Sequence, residues 1–131
     1  NGLKVNLPIN TGGDLYLQSQ SYCQRLECKC CSSCGPISFG PTESWKYLYI
    51  VDARQQSLDR FIIYHIKLSN LDWQWQCIKV NRRETYQDQV NQKRRPRITL
   101  DQLLPQIPSE LIDIVYCGTI ENILQPYLCG N

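Results

Sequence analysis

The stretch SWKYLYIVD at residues 44–52 decides the fold class, because its side chains alternate in kind along the chain. Successive residues of an extended chain point to opposite faces, so Trp45, Tyr47 and Tyr49 share one face and Leu48 lies on the other. Aromatic and β-branched residues are enriched in strands. The stretch therefore predicts a β-strand.

Two later stretches repeat this period of two. They are RFIIYHIKLS at residues 60–69 and WQWQCIKV at residues 73–80, and turn-forming residues connect the three stretches at hairpin lengths. We therefore predict an all-β fold with minor helix. Its form is a small, disulfide-stapled antiparallel β-sandwich or curled sheet, built around a meander of strands near 44–52, 60–69 and 72–80.

Shorter segments flank this meander. LKVNLPI at residues 3–9 predicts an edge strand, and DLYLQSQSY at residues 14–22 predicts a further strand. ITLDQLLPQIP at residues 98–108 opens with Thr99 and Gln102 at capping-box spacing, which predicts a single helical turn.

Composition indicates one folded domain spanning residues 1–131. The chain is 42% hydrophobic and 20% charged, which is typical of a globular protein. Its formal net charge of +2 is too small to indicate a nucleic-acid partner. No apolar run approaches the roughly 18 residues of a membrane helix, so we predict no membrane span.

The compartment is inferred from the start of the chain and from its cysteines. The chain begins NGLKV and contains no methionine, which favours a mature chain whose signal peptide has been removed. Eight cysteines in 131 residues is far above ordinary cytosolic usage and favours a secreted protein.

Five of the eight cysteines fall in CQRLECKCCSSCG at residues 23–35. Five clustered cysteines cannot all pair with one another, so at least one must reach a distant partner, and the adjacent pair diverges because a vicinal disulfide is strained. We predict up to four disulfides and no metal or other cofactor. The predicted disulfide residues are Cys23, Cys28, Cys30, Cys31, Cys34, Cys77, Cys117 and Cys129.

Zinc and redox chemistry are the alternatives for this cluster. The pair Cys31 and Cys34 forms one C-x2-C knuckle, but a second knuckle of standard spacing is missing and the sole histidine, His65, lies far away. A redox C-x-x-C needs a helix to follow it, and the dipeptide Gly35-Pro36 follows instead.

Catalytic patterns are sparse. His65 is the sole histidine, and it lies within a predicted strand, where a packing role is more common than catalysis. Without it, neither a Ser-His-Asp nor a Cys-His catalytic arrangement can be assembled. The twelve acidic residues leave room for a pair of carboxylates, although spacing singles out none of them.

Residues 81–98 are predicted to form a long basic surface loop. Between Lys79 and Arg97 the chain has seven cations and two acids, so this segment is more positive than the chain as a whole. It suits an acidic polysaccharide or a protein partner, and the alternatives are a solubilising loop or a processing site. Nucleic acid is not predicted as a partner, because the aromatic residues lie in the strands and the cations in the loop. The predicted anion- or partner-binding residues are Arg82, Arg83, Lys93, Arg94, Arg95 and Arg97.

Aromatic residues of two predicted strands form a second candidate surface. They would stack sugar rings if exposed, but Cys77 follows two of them on the same face and favours an inward, core-forming orientation. These residues are Trp45, Tyr47, Tyr49, Trp73 and Trp75.

Together these features predict a non-enzymatic, secreted binding or structural module for extracellular recognition, adhesion or matrix assembly. Strand edges on a small sheet also allow a homo-oligomer. The alternatives are an intracellular zinc-binding interaction protein that uses the Cys23–Cys34 cluster and a small secreted hydrolase.

Overall fold

A computed structural model describes the backbone of residues 4–6, 15–18 and 23–121, and the side chains from residue 25 to residue 121. Eight strands lie in this part of the chain, six of them in one sheet. The strands are β1 (Lys4–Asn6), β2 (Leu15–Gln18), β3 (Cys23–Cys31), β4 (Ile37–Ser38), β5 (Tyr47–Gln55), β6 (Arg60–Ile66), β7 (Arg97–Ile98) and β8 (Ile112–Gly118).

The main sheet has the strand order β1-β2-β3-β5-β6-β8. Strands β3 and β5 run parallel, and every other pairing in the described sheet is antiparallel. In the parallel pair Glu27 lies opposite Leu48, and Lys29 lies opposite Ile50. Paired residues of neighbouring strands share a face, so these four side chains lie on the same side of the sheet.

Three short helices and a second, two-stranded sheet pack against that side. The helices are α1 (Trp73–Gln76), α2 (Tyr86–Asn91) and α3 (Leu100–Leu103), and the small sheet pairs β4 with β7. Their apolar residues form one buried cluster with Leu48, Ile50 and Ile66 of the main sheet, each of which is 0% exposed. The core therefore lies between this face of the sheet and the helices.

Four aromatic rings form the centre of that core. Phe39, Trp45, Trp75 and Tyr86 contact one another with centroid separations of 5.4 to 5.9 Å, mostly edge to face. This geometry is the one that ring quadrupoles favour. The opposite face of the sheet is half-buried, and there His65 stacks on Tyr49.

The prediction of a mostly β fold with few helices is confirmed, whereas a purely antiparallel sheet is wrong because β3 and β5 are parallel. The strand predicted near 72–80 is also wrong, since Trp73–Gln76 is a helical turn. Asp72 caps this turn by accepting a hydrogen bond of 2.9 Å from the Gln74 N–H. Trp75 is fully buried and Trp73 is 69% exposed, so the two rings do not share a face.

No disulfide joins the cysteines whose side chains are described, so the prediction of a disulfide-stapled fold is not supported. The free thiols include Cys30, Cys31, Cys34, Cys77 and Cys117. The clustered cysteines do not converge because β3 is one continuous strand, which sends neighbouring side chains to opposite faces. The side chains of Cys23 and Cys129 lie outside the described residues.

The basic segment at 81–98 contains regular structure. Thr85 and Asp88 form a reciprocal capping box at the start of α2, and β7 follows at Arg97–Ile98. Within the described residues, no helix is long and apolar enough to cross a membrane.

Candidate active site

Strand β3 carries charged residues on the face that points into the core. Because side chains alternate along a strand, Glu27 and Lys29 share the face that bears Leu48 and Ile50 on the next strand. Leu26 and Cys28 point to the opposite face of the sheet. The sequence thus places a carboxylate and an ammonium two residues apart on a buried surface.

Glu27 is completely buried, with 0% of its surface exposed. Moving a carboxylate out of water costs several kcal/mol or more unless a cation or hydrogen-bond donors compensate for the lost hydration. A residue chosen only for packing at this position would be apolar, as Leu48 and Ile50 are on the adjacent strand. The burial of Glu27 therefore marks it as a functional candidate.

Lys29 follows Glu27 on the same face. Its Nζ lies 5.5 Å from the centroid of the Phe39 ring, a distance at which a cation interacts with the ring face. The Phe39 ring in turn contacts Tyr86 at a centroid separation of 5.9 Å. These ring contacts keep the lysine side chain next to the buried aromatic cluster.

Tyr86 is a buried residue of the aromatic cluster, and its pKa responds to the charges of Glu27 and Glu43. Its side chain is 2% exposed, and burial is the main reason why its pKa rises to about 12. The negative charges of Glu27 and Glu43 raise this pKa further. Tyr86 therefore stays protonated and can act only as a neutral hydrogen-bonding group at neutral pH.

Asn70 fixes the loop that carries Glu43. The Asn70 Oδ1 accepts a hydrogen bond of 3.0 Å from the Trp45 N–H, and its Nδ2 donates one of 2.7 Å to the Glu43 carbonyl oxygen. The Glu43 carboxyl group packs on the backbone at Gly40, where a Cβ would come within 2.5 Å of Glu43 Cδ. Only glycine allows this approach.

A cavity of about 170 Å³ lies beside Tyr86. Its wall includes Glu43, Asn70, Gln76 and Gln87, so it presents a carboxylate and several amide groups. The cavity adjoins the aromatic cluster below Lys29, because Tyr86 lines the cavity and also contacts Phe39.

A second acid–base pair, Asp52 and Arg54, is closed by its own hydrogen bonds. Arg54 donates from Nε and Nη2 to the two carboxylate oxygens of Asp52, each at 2.9 Å, and from Nη1 to Asp101 at 3.0 Å. The hydrogen bonds from Arg54 hold the pKa of Asp52 below its ordinary value. This pair has the geometry of a structural ion pair.

The predicted anion-binding cations lie on the surface around α2. Arg94 pairs with Glu84 at 3.0 Å, and Arg95 donates from Nε to Ser38 Oγ at 3.2 Å. Hydrogen bonds from Asn81 and other nearby amides lower the pKa of Glu84 to about 2. The remaining predicted cations are exposed and make no ion pair within the described part of the chain; they are Arg82, Arg83, Lys93 and Arg97.

The predicted aromatic surface does not form as a unit. Trp45 and Trp75 are buried in the core, whereas Tyr47 and Tyr49 are half-buried on the opposite face of the sheet. His65 also lies on that opposite face, beside Tyr49, where burial lowers its pKa. The structure therefore separates this histidine from Glu27.

Sequence reasoning missed Glu27 and Lys29. The segment CQRLECKCC was interpreted through its cysteines, although its other residues alternate as a strand does. Read with a period of two, it places Glu27 and Lys29 on one face and Leu26 on the other. A paired acid and base on a face that should be apolar was the available signal.

A family model described as Bsp6I restriction endonuclease matches residues 6–106, which is most of the chain. The chain therefore belongs to the Bsp6I restriction endonuclease family. No curated protein and no solved structure matches it.

Membership of this family corrects several predictions. A non-enzymatic binding module is wrong, because the family is one of DNA-cleaving enzymes. The predicted absence of a nucleic-acid partner is wrong for the same reason. The secreted and adhesive assignment is also wrong, because restriction endonucleases act inside the cell.

The wrong predictions about the nucleic-acid partner and the compartment have separate physical causes. Interleaved aromatics are needed to stack single-stranded bases, whereas cations alone suffice to contact the phosphates of a duplex. Cysteine content indicates compartment only when the thiols are paired, and no pairing exists among the described side chains. The zinc alternative gains no support either, since no group of three or more potential ligands occurs in the described part of the chain.

Proposed function

We propose that this member of the Bsp6I restriction endonuclease family hydrolyses phosphodiester bonds in DNA, with Glu27 and Lys29 of β3 at its active site. The observation that carries this proposal is the fully buried carboxylate of Glu27 with Lys29 two residues away on the same face. A strand backbone fixes the spacing of these side chains, which is the rigidity that catalysis requires.

Nucleases commonly use divalent cations, and the described residues fit a hard cation of the magnesium type. Such an ion is held by one or two carboxylates and keeps several of its waters, whereas zinc requires three or four protein ligands. Glu27 offers a carboxylate, and residues 25–121 contain no group of three or more histidine, cysteine or acidic side chains that could hold a metal ion. A magnesium-type ion would therefore depend on Glu27, on its own waters and on the phosphate of the substrate. A bound cation would activate water and offset the charge that develops on the phosphate.

Lys29 supplies positive charge to the same place. An ammonium group near the scissile phosphate stabilises the negative charge that increases in the transition state. The contact with Phe39 holds the side chain in a partly apolar environment, where such a charge acts more strongly than in bulk water. Lys29 therefore positions and stabilises the phosphate.

The exposed cations around α2 would hold the DNA backbone. Arg82, Arg83, Lys93 and Arg97 have no intramolecular ion pair within the described residues to compete with phosphate. Contacts of this kind supply affinity and set the position of the duplex without reading its sequence.

The sequence offers one further acid to test. Asp14 stands one position before Leu15, the first residue of β2, and lies outside the described residues. A magnesium-type ion accepts a second carboxylate. The substitution Asp14→Asn therefore belongs beside Glu27→Gln in the mutational test.

The proposal is tested by incubating the purified chain with duplex DNA of varied sequence in buffer with Mg²⁺ and in buffer with EDTA. We expect discrete double-stranded fragments with Mg²⁺ only, and none from Glu27→Gln purified in the same way, which controls for contaminating nuclease. Absence of cleavage by the folded wild-type chain with both Mg²⁺ and Mn²⁺ would overturn the proposal.

A further inference from the structure

The cavity beside Tyr86 is placed to contact DNA close to the reacting phosphate. Two ring contacts connect it to the active site, because Lys29 Nζ lies 5.5 Å from Phe39 and Phe39 lies 5.9 Å from Tyr86. Successive bases along one strand are 3.4 Å apart, so the cavity lies within about three base steps of Lys29.

The groups around this cavity are neutral hydrogen-bonding groups and one carboxylate. Thr42, Ser44, Asn70, Gln76 and Gln87 contribute the neutral groups, and Glu43 is the one charged residue in the wall. A phosphate would be repelled by the Glu43 carboxylate in the wall of the cavity. The edge of a nucleobase is uncharged, so the carboxylate would not repel it.

The polar groups of the cavity are not all used within the protein. Both ends of the Asn70 amide are committed to Trp45 and Glu43, and Gln87 donates to Asn91. The Gln76 amide, in contrast, makes no hydrogen bond within the described residues, and it is half-buried. It is therefore available to a ligand.

Tyr86 gives an independent indication of a ligand. Its hydroxyl faces the side chains of Trp75 and Asn70 but makes no hydrogen bond of normal geometry within the described part of the chain, and the residue is 2% exposed. Native proteins rarely leave a buried hydroxyl unsatisfied, because this costs about 1–3 kcal/mol. A ligand group in the cavity would give this hydroxyl a partner of better geometry than Trp75 and Asn70 offer.

The Glu43 carboxyl group packs against the backbone of its own loop at Gly40. A side chain at Gly40 would displace the Glu43 carboxyl group, and Asn70 anchors the Glu43 backbone from the other side. The loop thus holds an acceptor at a fixed place in the wall of the cavity. Carboxylates recognise the amino group of cytosine, and side-chain amides recognise adenine.

We propose that this cavity reads the amino-bearing edge of one nucleobase, adenine or cytosine, near the cleaved bond, with Glu43 accepting from the amino group and Gln76 contacting the same base. This inference rests on the proposed function and assigns to it a sequence-reading site. It makes Glu43 and Gln76 determinants of specificity rather than of the chemical step.

The test measures sequence preference rather than rate alone. The wild-type chain, Glu43→Gln and Gln76→Ala are each given a library of duplexes with randomised sequence, and both the bound and the cleaved molecules are sequenced. The matched control is Gln56→Ala, an exposed glutamine in the turn after β5, at the other end of that strand. Circular dichroism confirms that each variant is folded.

We expect each cavity variant to lose about 10- to 100-fold of discrimination at one base position, while Gln56→Ala keeps the wild-type preference. Unchanged preference in both cavity variants, with the wild type still cleaving, would overturn this inference and leave the proposed function standing. A wild-type chain that neither binds nor cleaves the library would overturn both.

Discussion

Two acid–base pairs with the same spacing lie on the two parallel strands, and they are built in different ways. In β5, Arg54 turns back on Asp52 with two side-chain hydrogen bonds of 2.9 Å, and the pair is closed. In β3, the ammonium of Lys29 lies over the Phe39 ring, and the buried Glu27 precedes it by two residues on the same face of the strand. Sequence spacing alone does not distinguish the two pairs.

The difference lies in the cation and in its surroundings. Arginine has a planar fork that matches both oxygens of a carboxylate, whereas lysine is a point charge that can face a third group. Asp52 is also tied to Arg54 through the backbone N–H of that residue, at 3.1 Å. The β5 pair therefore stabilises the fold, and the β3 pair is the one that we assign to the reaction.

A large effect that sharpens this contrast is expected at Lys29, second only to the effect expected at Glu27. Lys29→Met keeps the length of the side chain but removes its charge, so we expect the rate of DNA cleavage to fall by about 10²- to 10³-fold. The free energy of unfolding is expected to fall by only about 1 kcal/mol, because the substitution removes the cation–π contact with Phe39. Single-turnover cleavage and chemical denaturation measure the two quantities.

The charge-matched control is Lys67→Gln, because Lys67 is exposed and pairs with Asp113 on the last strand of the sheet. It should cleave at the wild-type rate. If Lys29→Met also cleaved at that rate, Lys29 would have no part in the reaction.

The next effect concerns DNA affinity. Replacing Arg82, Arg83, Lys93 and Arg97 together by glutamine should make the plot of log affinity against log salt less steep by about 3 to 4 units, since each lost phosphate contact removes about 0.9. Fluorescence anisotropy with a labelled duplex at several salt concentrations gives the slope. An unchanged slope would mean that this surface does not face the DNA.

The smallest expected effect is structural. Asp52→Asn removes the charge that Arg54 binds, so we expect the free energy of unfolding to fall by about 2 kcal/mol, the range of hydrogen bonds to charged groups. Cleavage by the folded fraction should be retained. Urea denaturation and an activity assay at a temperature well below unfolding measure this.

The pH dependence of that stability follows from the lowered pKa of Asp52. A carboxyl whose pKa is lower in the folded than in the unfolded state, where it is about 3.9, stabilises the fold above that value. This stabilisation is lost as the pH falls from about 4 through the folded pKa. Asp52→Asn should therefore lose less stability than the wild type between pH 6 and pH 3, and an equal loss in both would contradict the assigned role.

How much of the molecule the sequence predicts depends on what each segment must do. Strands β5 and β6 were predicted because most of their side chains serve packing, and packing produces the period of two directly. Trp73 and Trp75 also alternate, but four residues are too few to separate a strand from one turn of helix, and the cap from Asp72 decides for the helix.

Strand β3 was not recognised because its inward face is not apolar. Glu27 and Lys29 stand where core residues would make the pattern clear, and the neighbouring cysteines suggest staples instead. These two charged residues interrupt the apolar alternation on which strand prediction depends. In the cation-rich segment at 81–98, the capping box formed by Thr85 and Asp88 was not recognised from the sequence.

The most direct test of the central claim compares Glu27→Gln with Asp52→Asn in single-turnover cleavage of one duplex with Mg²⁺, with unfolding measured in parallel. Removing the buried charge of Glu27 should lower the cleavage rate of the folded protein at least about 10³-fold. Asp52→Asn should lower stability but keep the rate of the folded protein within a few-fold. Wild-type cleavage by Glu27→Gln, or an equal loss of rate in both variants, would contradict the assignment of Glu27 to the active site.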